Sequence, residues 1–431
     1  MKFYSTNKNS PLVGLQEAIM RSLAPDGGLY MPMGIPKLPN KILNQLSEMS
    51  FQEIAFEVSK IFFAPDVPNK ILKKIISNAF DFKIPLKEID KNIFALELFY
   101  GPTCAFKDFA ARFMAGVFGY FANESQREIT LLVSTSGDTG SAIAHGFQNI
   151  KGIKVIILYP SGKVSALQEK QLTSMGGNVR ALEVEGTFDD CQKIVKQAFL
   201  NKDLKNKFTL ASANSINIAR LLPQTFYYFY LCAKLQKKNK PILVSVPSGN
   251  FGNLTAGLIA KKMGVPISKF IASTNSNNAV PKYLLTGKFK PSKSVSTISN
   301  AMDVGSPSNF ARMLDLYEND FMKMKQDILG VSFSDKKTKD AIKKVFQQNN
   351  YIMDPHGAVA YLGLIEAQKN NPNSVGLFLE TAHPAKFADV VEKIIGVKIP
   401  VPSRLKNYIN RKKESTMLKN KFEDFKNEIL N

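Results

Sequence analysis

A glycine-rich segment in the second half of the chain could hold a phosphate group; its residues are Gly249, Asn250, Phe251, Gly252 and Asn253. It follows an apolar run and precedes a helical pattern. Glycine lets the backbone approach a ligand closely, and N–H groups at a helix N-terminus attract anions. The segment lacks the spacing of a Walker A loop or of a dinucleotide fingerprint. It predicts a phosphate site, although an ordinary strand-to-helix turn also accounts for the glycines.

Lys107 could act as a nucleophile. It lies between aromatic residues at the predicted start of a helix that carries Phe109, Phe113 and Val117 on one face. Apolar surroundings disfavour the charged form of an amine, so its pKa falls and it can form a Schiff base with a carbonyl compound. The alternative is a surface lysine on an amphipathic helix.

The segment Ser134–Gly140 also joins a predicted strand to a predicted helix. Its hydroxyl and backbone N–H groups could hold a carboxylate, or they could simply cap the helix. The sequence Asp-Thr-Gly-Ser at 138–141 also occurs in aspartic proteases. That mechanism needs a second carboxylate in a matching loop, and no second Asp-Thr-Gly or Asp-Ser-Gly occurs, which argues against a protease.

Two further clusters are polar. Asn214 and Ser215, followed within two turns by Arg220, could clamp an anion. Thr381 ends a predicted strand and offers a neutral hydroxyl. The isolated His356 and His383 do not make a metal site, so no metal ion is expected.

Short β-branched runs alternate with helical patterns from about residue 81 onward and position these segments; the runs are 129–133, 155–158, 179–184, 242–246, 270–273 and 375–379. This alternation predicts an α/β fold with mostly parallel sheets. The runs are continuously apolar, as strands buried on both faces are. Ligands of such sheets bind beyond the carboxyl ends of the strands, where the polar turns fall.

The pattern divides the chain into three parts. Residues 1–80 predict a small, mainly helical N-terminal domain. Residues 81–400 predict a catalytic region, in which a smaller α/β domain at about 115–200 is inserted into a large one. Residues 401–431 form a Lys-rich tail that could be a docking helix or a frayed end.

Composition excludes several classes of protein. With 44% hydrophobic and 22% charged residues among 431, the chain is neither disordered nor membrane-spanning. No signal-peptide pattern is evident, and three distant cysteines suit a reducing compartment, so we expect a cytoplasmic location. The net charge of +21 comes from lysines scattered among acids, without a nucleic-acid-binding motif, which indicates a solvated surface and no nucleic acid partner.

Taken together and in this order, the segments resemble the threonine synthase family of fold-type II pyridoxal-phosphate enzymes, whose fold is like that of the tryptophan synthase β chain. The resemblance covers the whole chain and is carried by these residues: Tyr4–Asn7, Ala24–Tyr30, Tyr100–Phe109, Ser134–Ala142, Asn214–Asn217 with Arg220, Pro247–Gly257 and Glu380–Phe387.

The resemblance implies a role for each candidate residue. Lys107 would bind pyridoxal 5′-phosphate covalently and then move protons on the substrate. The cradle of Gly249, Asn250, Phe251, Gly252 and Asn253 would hold the cofactor phosphate. Thr381 would bond the pyridine nitrogen, and Asp138 would contact the cofactor ring, although many relatives carry asparagine there. The substrate contacts would be Ser136, Thr139, Asn214, Ser215 and Arg220, with Lys163 and Ser165 also contributing.

The reaction implied by the resemblance converts O-phospho-L-homoserine and water into L-threonine and phosphate, the last step of threonine biosynthesis. The alternative is another fold-type II pyridoxal-phosphate lyase that acts on a phosphorylated amino acid. The resemblance implies a small-molecule substrate, no membrane partner, and a monomer or homodimer.

Overall fold

A computed structural model describes residues 1–430 of the chain. Its two larger sheets consist of mostly parallel strands. This confirms the predicted α/β class. The strands at the centre of both sheets are buried along their whole length, because helices cover both faces of each sheet. Within residues 1–430, every helix is too short or too polar to cross a lipid bilayer.

The N-terminal region combines a small antiparallel sheet with helices; its elements are β1 (Lys2–Ser5), β2 (Val13–Gly14), α1 (Leu15–Arg21), β3 (Tyr30–Pro32), α2 (Asn40–Gln45), α3 (Phe51–Phe63) and α4 (Asn69–Ala79). The prediction of a mainly helical region missed this sheet, whose strands are four residues or shorter and carry no periodic signal. The amphipathic pattern did predict α3, which begins at a capping box formed by Ser50 and Glu53.

The middle of the chain builds one edge of the larger sheet and then the smaller sheet; its elements are β4 (Leu86–Asp90), β5 (Ile93–Glu97), α5 (Lys107–Ser125), β6 (Ile129–Ser134), α6 (Asp138–Phe147), β7 (Ile153–Pro160), α7 (Ala166–Thr173), β8 (Val179–Glu185), α8 (Phe188–Leu200), α9 (Lys202–Lys207) and β9 (Thr209–Ser212).

The rest of the chain returns to the larger sheet; its elements are α10 (Ile218–Leu221), α11 (Phe226–Leu235), β10 (Ile242–Pro247), α12 (Gly252–Lys262), β11 (Ile267–Thr274), α13 (Ala279–Thr286), α14 (Phe310–Leu316), α15 (Phe321–Asp327), β12 (Ile328–Ser332), α16 (Asp335–Asn349), α17 (Pro355–Lys369), β13 (Val375–Glu380), α18 (Ala388–Ile395), α19 (Ser403–Ile409), β14 (Thr416–Lys419) and α20 (Phe422–Leu430).

The larger sheet has the order β12-β11-β10-β13-β5-β4, with only β4 antiparallel to its neighbour. The smaller sheet has the order β14-β8-β7-β6-β9 and is parallel throughout. Its strands therefore begin at Ile129 and reach Ser212, beyond the predicted span of about 115–200, and they also include β14.

The Lys-rich tail is part of the smaller sheet rather than a frayed end. Its strand β14 pairs with β8, and Lys413 forms ion pairs with Glu169 (2.7 Å) and Glu183 (2.5 Å). Phe425 and Ile429 of α20 pack into the hydrophobic cluster between α8 and the sheet. Charge pairing and apolar contacts together fix this segment.

Candidate active site

Lys107 begins α5 and faces a large cavity between the carboxyl ends of the two sheets. The turn before it is tied to the end of β13, because Phe106 N–H donates a hydrogen bond to the Thr381 carbonyl oxygen (2.8 Å). The Lys107 side chain is 16% exposed, and its Nζ lies 3.9 Å from Asp138 Oδ2. The amine is thus held at the cavity wall and shielded from bulk water.

Charged neighbours and burial both act on this amine. Burial lowers the pKa of Lys107, and the nearby positive charges of Lys386 and Arg220 lower it further, whereas the carboxylates of Asp138 and Asp354 oppose the change. A lowered pKa favours the neutral amine, the form that attacks a carbonyl carbon.

The cavity has a volume of about 1150 Å³ and collects almost every predicted site residue; its lining includes Lys107, Ser136, Asp138, Thr139, Asn214, Ser215, Arg220, Gly249, Asn250, Phe251, Gly252, Asn253 and Thr381. These residues come from the turns that follow β5, β6, β9, β10 and β13 and from the starts of the helices that those turns lead into. Parallel strands bring their carboxyl ends to one edge, so residues far apart in sequence meet there.

Lys163 does not join them. It lies after β7, its side chain is exposed, and it is not among the cavity-lining residues of the described chain. Ser165 caps α7 instead, accepting a hydrogen bond from Gln168 N–H (3.3 Å). The position of Lys163 in the described structure therefore gives no support to the predicted substrate contact.

The glycine-rich cradle joins β10 to α12, and its last two residues, Gly252 and Asn253, form the start of that helix at the cavity wall. At Gly249 a Cβ would come within 2.8 Å of the Ala301 carbonyl oxygen, so the tight packing requires glycine. Phe251 has a φ of +60°, a left-handed conformation that a non-glycine residue adopts only at some cost. This turn aims the first N–H groups of α12 at the cavity.

Asn253 lies in the first turn of α12, and only the oxygen of its side-chain amide has hydrogen-bond partners among the described residues. Its Oδ1 accepts hydrogen bonds from the hydroxyls of Tyr227 (2.7 Å) and Tyr228 (2.6 Å). Its Nδ2 is buried and has no hydrogen-bond partner among the described residues. A buried donor without a partner is costly, so this group is suited to a ligand oxygen.

Asn250 connects the cradle to two other segments of the wall. Its Nδ2 donates to Ser215 Oγ (2.5 Å), and its Oδ1 accepts from Ser308 N–H (2.6 Å) and Ser308 Oγ (3.0 Å). The side chain therefore holds the cradle against the turn after β9 and against the segment before α14.

Arg220 is a buried cation in α10 that also lines the cavity. Its Nη1 donates to the Ala213 carbonyl oxygen (2.6 Å), whereas its Nε has no partner among the described residues. Burial lowers the pKa of Arg220 to about 10, which still leaves it protonated at neutral pH. Asn214 uses both halves of its amide on Ser134, so it fixes the wall rather than presenting a free group.

The turn after β6 is shaped by Thr135 and Gly137. Thr135 Oγ1 accepts hydrogen bonds from Gly137 N–H (3.0 Å) and Gly140 N–H (2.8 Å). Gly137 has a φ of +142°, and a Cβ there would lie 2.7 Å from Gln168. The turn presents Ser136, Asp138 and the N-terminus of α6 to the cavity.

Asp138 is paired with a second buried lysine, Lys386, which the sequence analysis did not identify. Lys386 Nζ lies 2.7 Å from Asp138 Oδ1, and its side chain is fully buried. Burial alone would raise the pKa of Asp138, but the charges of Lys386 and Lys107 outweigh it and lower that pKa. The only sequence signal was a lysine between Ala385 and Phe387 just after a buried strand.

His356 supports another part of the cavity wall. Its Nδ1 lies 2.5 Å from Asp354 Oδ1, and its Nε2 accepts a hydrogen bond from Ala301 N–H (3.2 Å). These contacts give His356 a structural role in the cavity wall. Among residues 1–430, no three His, Cys, Asp or Glu side chains cluster as a metal site.

The residues present fit pyridoxal 5′-phosphate. The unpartnered Asn253 Nδ2 and the first N–H groups of α12 suit the cofactor phosphate. The shielded Lys107 amine suits its aldehyde, and Thr381 offers a hydroxyl at the end of β13, where only 6% of the residue is exposed.

Family models match nearly the whole chain. The model described as threonine synthase N terminus matches residues 2–80, the pyridoxal-phosphate dependent enzyme model matches 81–380, and the threonine synthase C-terminal model matches 357–429.

Individual relatives match over their full length. The chain is 47% identical to a threonine synthase of Buchnera aphidicola subsp. Baizongia pistaciae, with 95% of each chain covered. Its structure is similar to the crystal structure of threonine synthase from Escherichia coli (TM-score 0.94, 39% identity, 100% of each chain covered). It is also similar to a threonine synthase with bound pyridoxal phosphate from Brucella melitensis (TM-score 0.93, 32% identity, 100% of this chain and 98% of that chain covered).

Proposed function

The chain belongs to the threonine synthase family of pyridoxal-phosphate-dependent enzymes, and we propose that it converts O-phospho-L-homoserine and water into L-threonine and phosphate. The observation that carries this proposal is the position of Lys107 in one cavity with two unpartnered donors, Asn253 Nδ2 and Arg220 Nε. The reaction needs two phosphate sites near one amine, and the two donors supply them.

The cofactor site combines a covalent anchor with neutral donors. Lys107 forms the covalent bond, and the cradle at 249–253 holds the phosphate with backbone N–H groups and the Asn253 amide. Thr381 donates or accepts at the pyridine nitrogen without adding a charge. Asp138 lies next to the Lys107 amine and is paired with Lys386, so it would be available to contact the cofactor ring.

The substrate site lies toward the smaller sheet. Arg220, supported by Ser215 and the turn that Asn214 fixes, binds the substrate phosphate as a buried cation. Ser136 and Thr139, with the N-terminal N–H groups of α6, hold the substrate carboxylate. Both anion sites thereby share one cavity with the Lys107 amine.

Pyridoxal 5′-phosphate, when bound, withdraws electrons from the substrate's Cα and Cβ. Lys107 Nζ takes a proton from the substrate carbon and later returns one, which its shielded position and lowered pKa favour. Arg220 stabilises the charge on the phosphate as it leaves Cγ. Water adds at Cβ, so the products are threonine and inorganic phosphate.

The domain organisation, the location and the oligomeric state of the chain are also part of the proposal. Residues 1–80 form the N-terminal domain and 81–400 the catalytic region, with the tail at 401–431 attached to the inserted domain through β14. The three cysteines are buried and free, in keeping with a reducing compartment, the cytoplasm. The enzyme acts as a monomer or homodimer, which light scattering at assay concentration distinguishes.

The test is a product assay with purified holoenzyme. O-Phospho-L-homoserine should yield threonine and phosphate in equal amounts, and O-phosphoserine should yield far less phosphate. Release of phosphate with 2-oxobutyrate and ammonia in place of threonine would support the alternative, a lyase acting on a phosphorylated amino acid.

A further inference from the structure

Lys386 is a buried charged group that the proposed reaction does not use. It lies in the short 3-10 turn Pro384–Phe387 after β13, and its side chain is fully buried. It is not among the cavity-lining residues of the described chain, so it does not reach a ligand there. Its two contacts are Asp138 Oδ1 (2.7 Å) and the Thr103 carbonyl oxygen (2.9 Å).

Asp138 distributes its two oxygens unequally. Oδ1 receives both Lys386 Nζ and the side-chain N–H of Gln168 (2.8 Å). Oδ2 faces Lys107 Nζ, but at 3.9 Å, which is outside hydrogen-bond distance. The carboxylate is therefore drawn toward Lys386 and kept just short of the reactive amine.

A tight ion pair would disable Lys107 as a nucleophile. An amine that donates directly to a buried carboxylate is held in its charged form, and the charged form has no lone pair for attack on a carbonyl. Asp138 lies close enough to form such a pair after a small shift. A contact must therefore keep the Asp138 carboxylate away from Lys107. Lys386 is the charged group that contacts Asp138 and does not line the cavity.

We propose that Lys386 is a positioning residue. It holds the Asp138 carboxylate away from Lys107, so that the Lys107 amine stays free of a tight ion pair and remains reactive. This inference rests on the proposed function, in which Lys107 is the lysine that binds the cofactor. Other charges near the amine are Arg220, on α10, and Asp354, before α17, and neither contacts Asp138 through a hydrogen bond in the structure.

The contacts also explain why the effect passes from Lys386 to Lys107. Thr103, whose carbonyl Lys386 binds, accepts a second hydrogen bond there from Gln171 of α7 (3.2 Å) and bonds through its own hydroxyl to Asp108 (2.7 Å). Lys386 is thereby anchored to the loop before Lys107 and cannot follow Asp138 if that carboxylate moves.

The experiment is a pH titration of the visible absorbance of the bound cofactor, compared between Lys386→Met and wild type. Without Lys386, Asp138 pairs with the nitrogen of residue 107, so the titration midpoint moves to higher pH by about one unit. In an Asp138→Asn background the same substitution moves the midpoint much less, because the carboxylate through which Lys386 acts on Lys107 is absent. Lys393→Met, which removes an exposed lysine of α18, is the control and leaves the midpoint in place.

Lys386→Leu serves if Lys386→Met does not fold; it also removes the donor to Asp138, so it moves the midpoint in the same direction. An unchanged midpoint in the folded Lys386 variants overturns the proposal, and so does an equal shift with and without Asp138, which would mean that Lys386 acts on the amine directly. Borohydride labelling of the same samples separates this result from a failure of the proposed function, because label must still be found on Lys107.

Discussion

The turn after β10 and the turn after β6 have similar local structures but differ in charge. Both leave the carboxyl end of a buried strand, both contain a glycine that packing requires, and both start a helix at the cavity. The first turn of α12 carries no charged side chain. Helix α6 begins at Asp138, a carboxylate whose pKa two lysines keep low.

The difference shows that a helix N-terminus alone does not decide which ligand it receives. The neutral turn keeps the full attraction of its N–H groups for a dianion. In the acidic turn, the carboxylate of Asp138 offsets that attraction. This carboxylate lies close to the amines of Lys107 and Lys386. The neutral turn therefore suits the doubly charged phosphate, whereas the acidic turn combines N–H groups for the substrate carboxylate with a carboxylate that lies close to the Lys107 amine.

Removing the amine that both turns surround has the largest expected effect. Lys107→Ala should abolish the absorbance band of the Schiff base between residue 107 and the cofactor and lower kcat by at least about 10³-fold, because both the covalent anchor and the proton carrier are lost. The absorption spectrum and a threonine assay measure this. Lys339→Ala, at an exposed position of α16, is the control and should behave like wild type; activity and absorbance retained in Lys107→Ala would end the assignment.

Giving the neutral turn the charge of the acidic one tests the comparison directly. Asn253→Asp keeps an oxygen for the hydroxyls of Tyr227 and Tyr228 but replaces the free N–H group with a second oxygen. Cofactor affinity should fall by about 100-fold, since a hydrogen bond to a charged group is lost and repulsion is added. Equilibrium dialysis with the cofactor measures this, and an unchanged affinity would remove Asn253 from the phosphate site.

Changing the second anion site should leave the cofactor in place. Arg220→Ala should raise KM for O-phospho-L-homoserine by roughly 30-fold, because a buried charge-assisted contact is lost, with little change in cofactor content. Arg220→Lys should lie between the two, since it keeps the charge without the planar donor group. Loss of cofactor with an unchanged KM would reverse the roles assigned to the two sites.

A third turn, after β13, sharpens the comparison because one of its titratable groups, His383, is kept neutral. Burial lowers the pKa of His383 to about 4, below the value of about 6.5 in an unfolded chain. Its contribution to stability is therefore present above pH 6.5 and is lost as the pH falls toward 4. Between pH 7 and pH 5, wild type should lose about 2 kcal/mol more unfolding free energy than His383→Asn.

Urea unfolding at the two pH values checks this prediction. Asparagine is a suitable replacement because His383 Nδ1 accepts a hydrogen bond from Ala385 N–H (3.1 Å), and an amide oxygen can take its place as a helix cap. An equal loss in both proteins would show that His383 remains hydrated in the folded state.

The sequence predicted those parts of the fold that have a strong local signal. The apolar runs at 129–133 and 242–246 became β6 and β10 because strands buried on both faces need continuous apolar residues. Short edge strands such as β9 and β14 were missed, since they depend on pairing with a distant neighbour rather than on their own pattern.

The site was predictable where chemistry depends on a local motif. Lys107 and the glycine-rich cradle could be proposed from the sequence because each is part of a local motif, and the structure brings them to the same cavity. Lys386 was not, because its partner, Asp138, is 248 positions away in the chain, and only the packing of β13 against the loop before α5 brings them together. Lys163 shows the converse, since closeness in sequence to other polar residues did not bring it to the cavity.

Borohydride reduction of the holoenzyme, followed by mass mapping of the modified peptide, tests the central claim most directly. The account predicts one phosphopyridoxyl group on Lys107 and none on Lys386, whose side chain is buried away from the cavity. A label on any other lysine, with Lys107 unmodified, would contradict it.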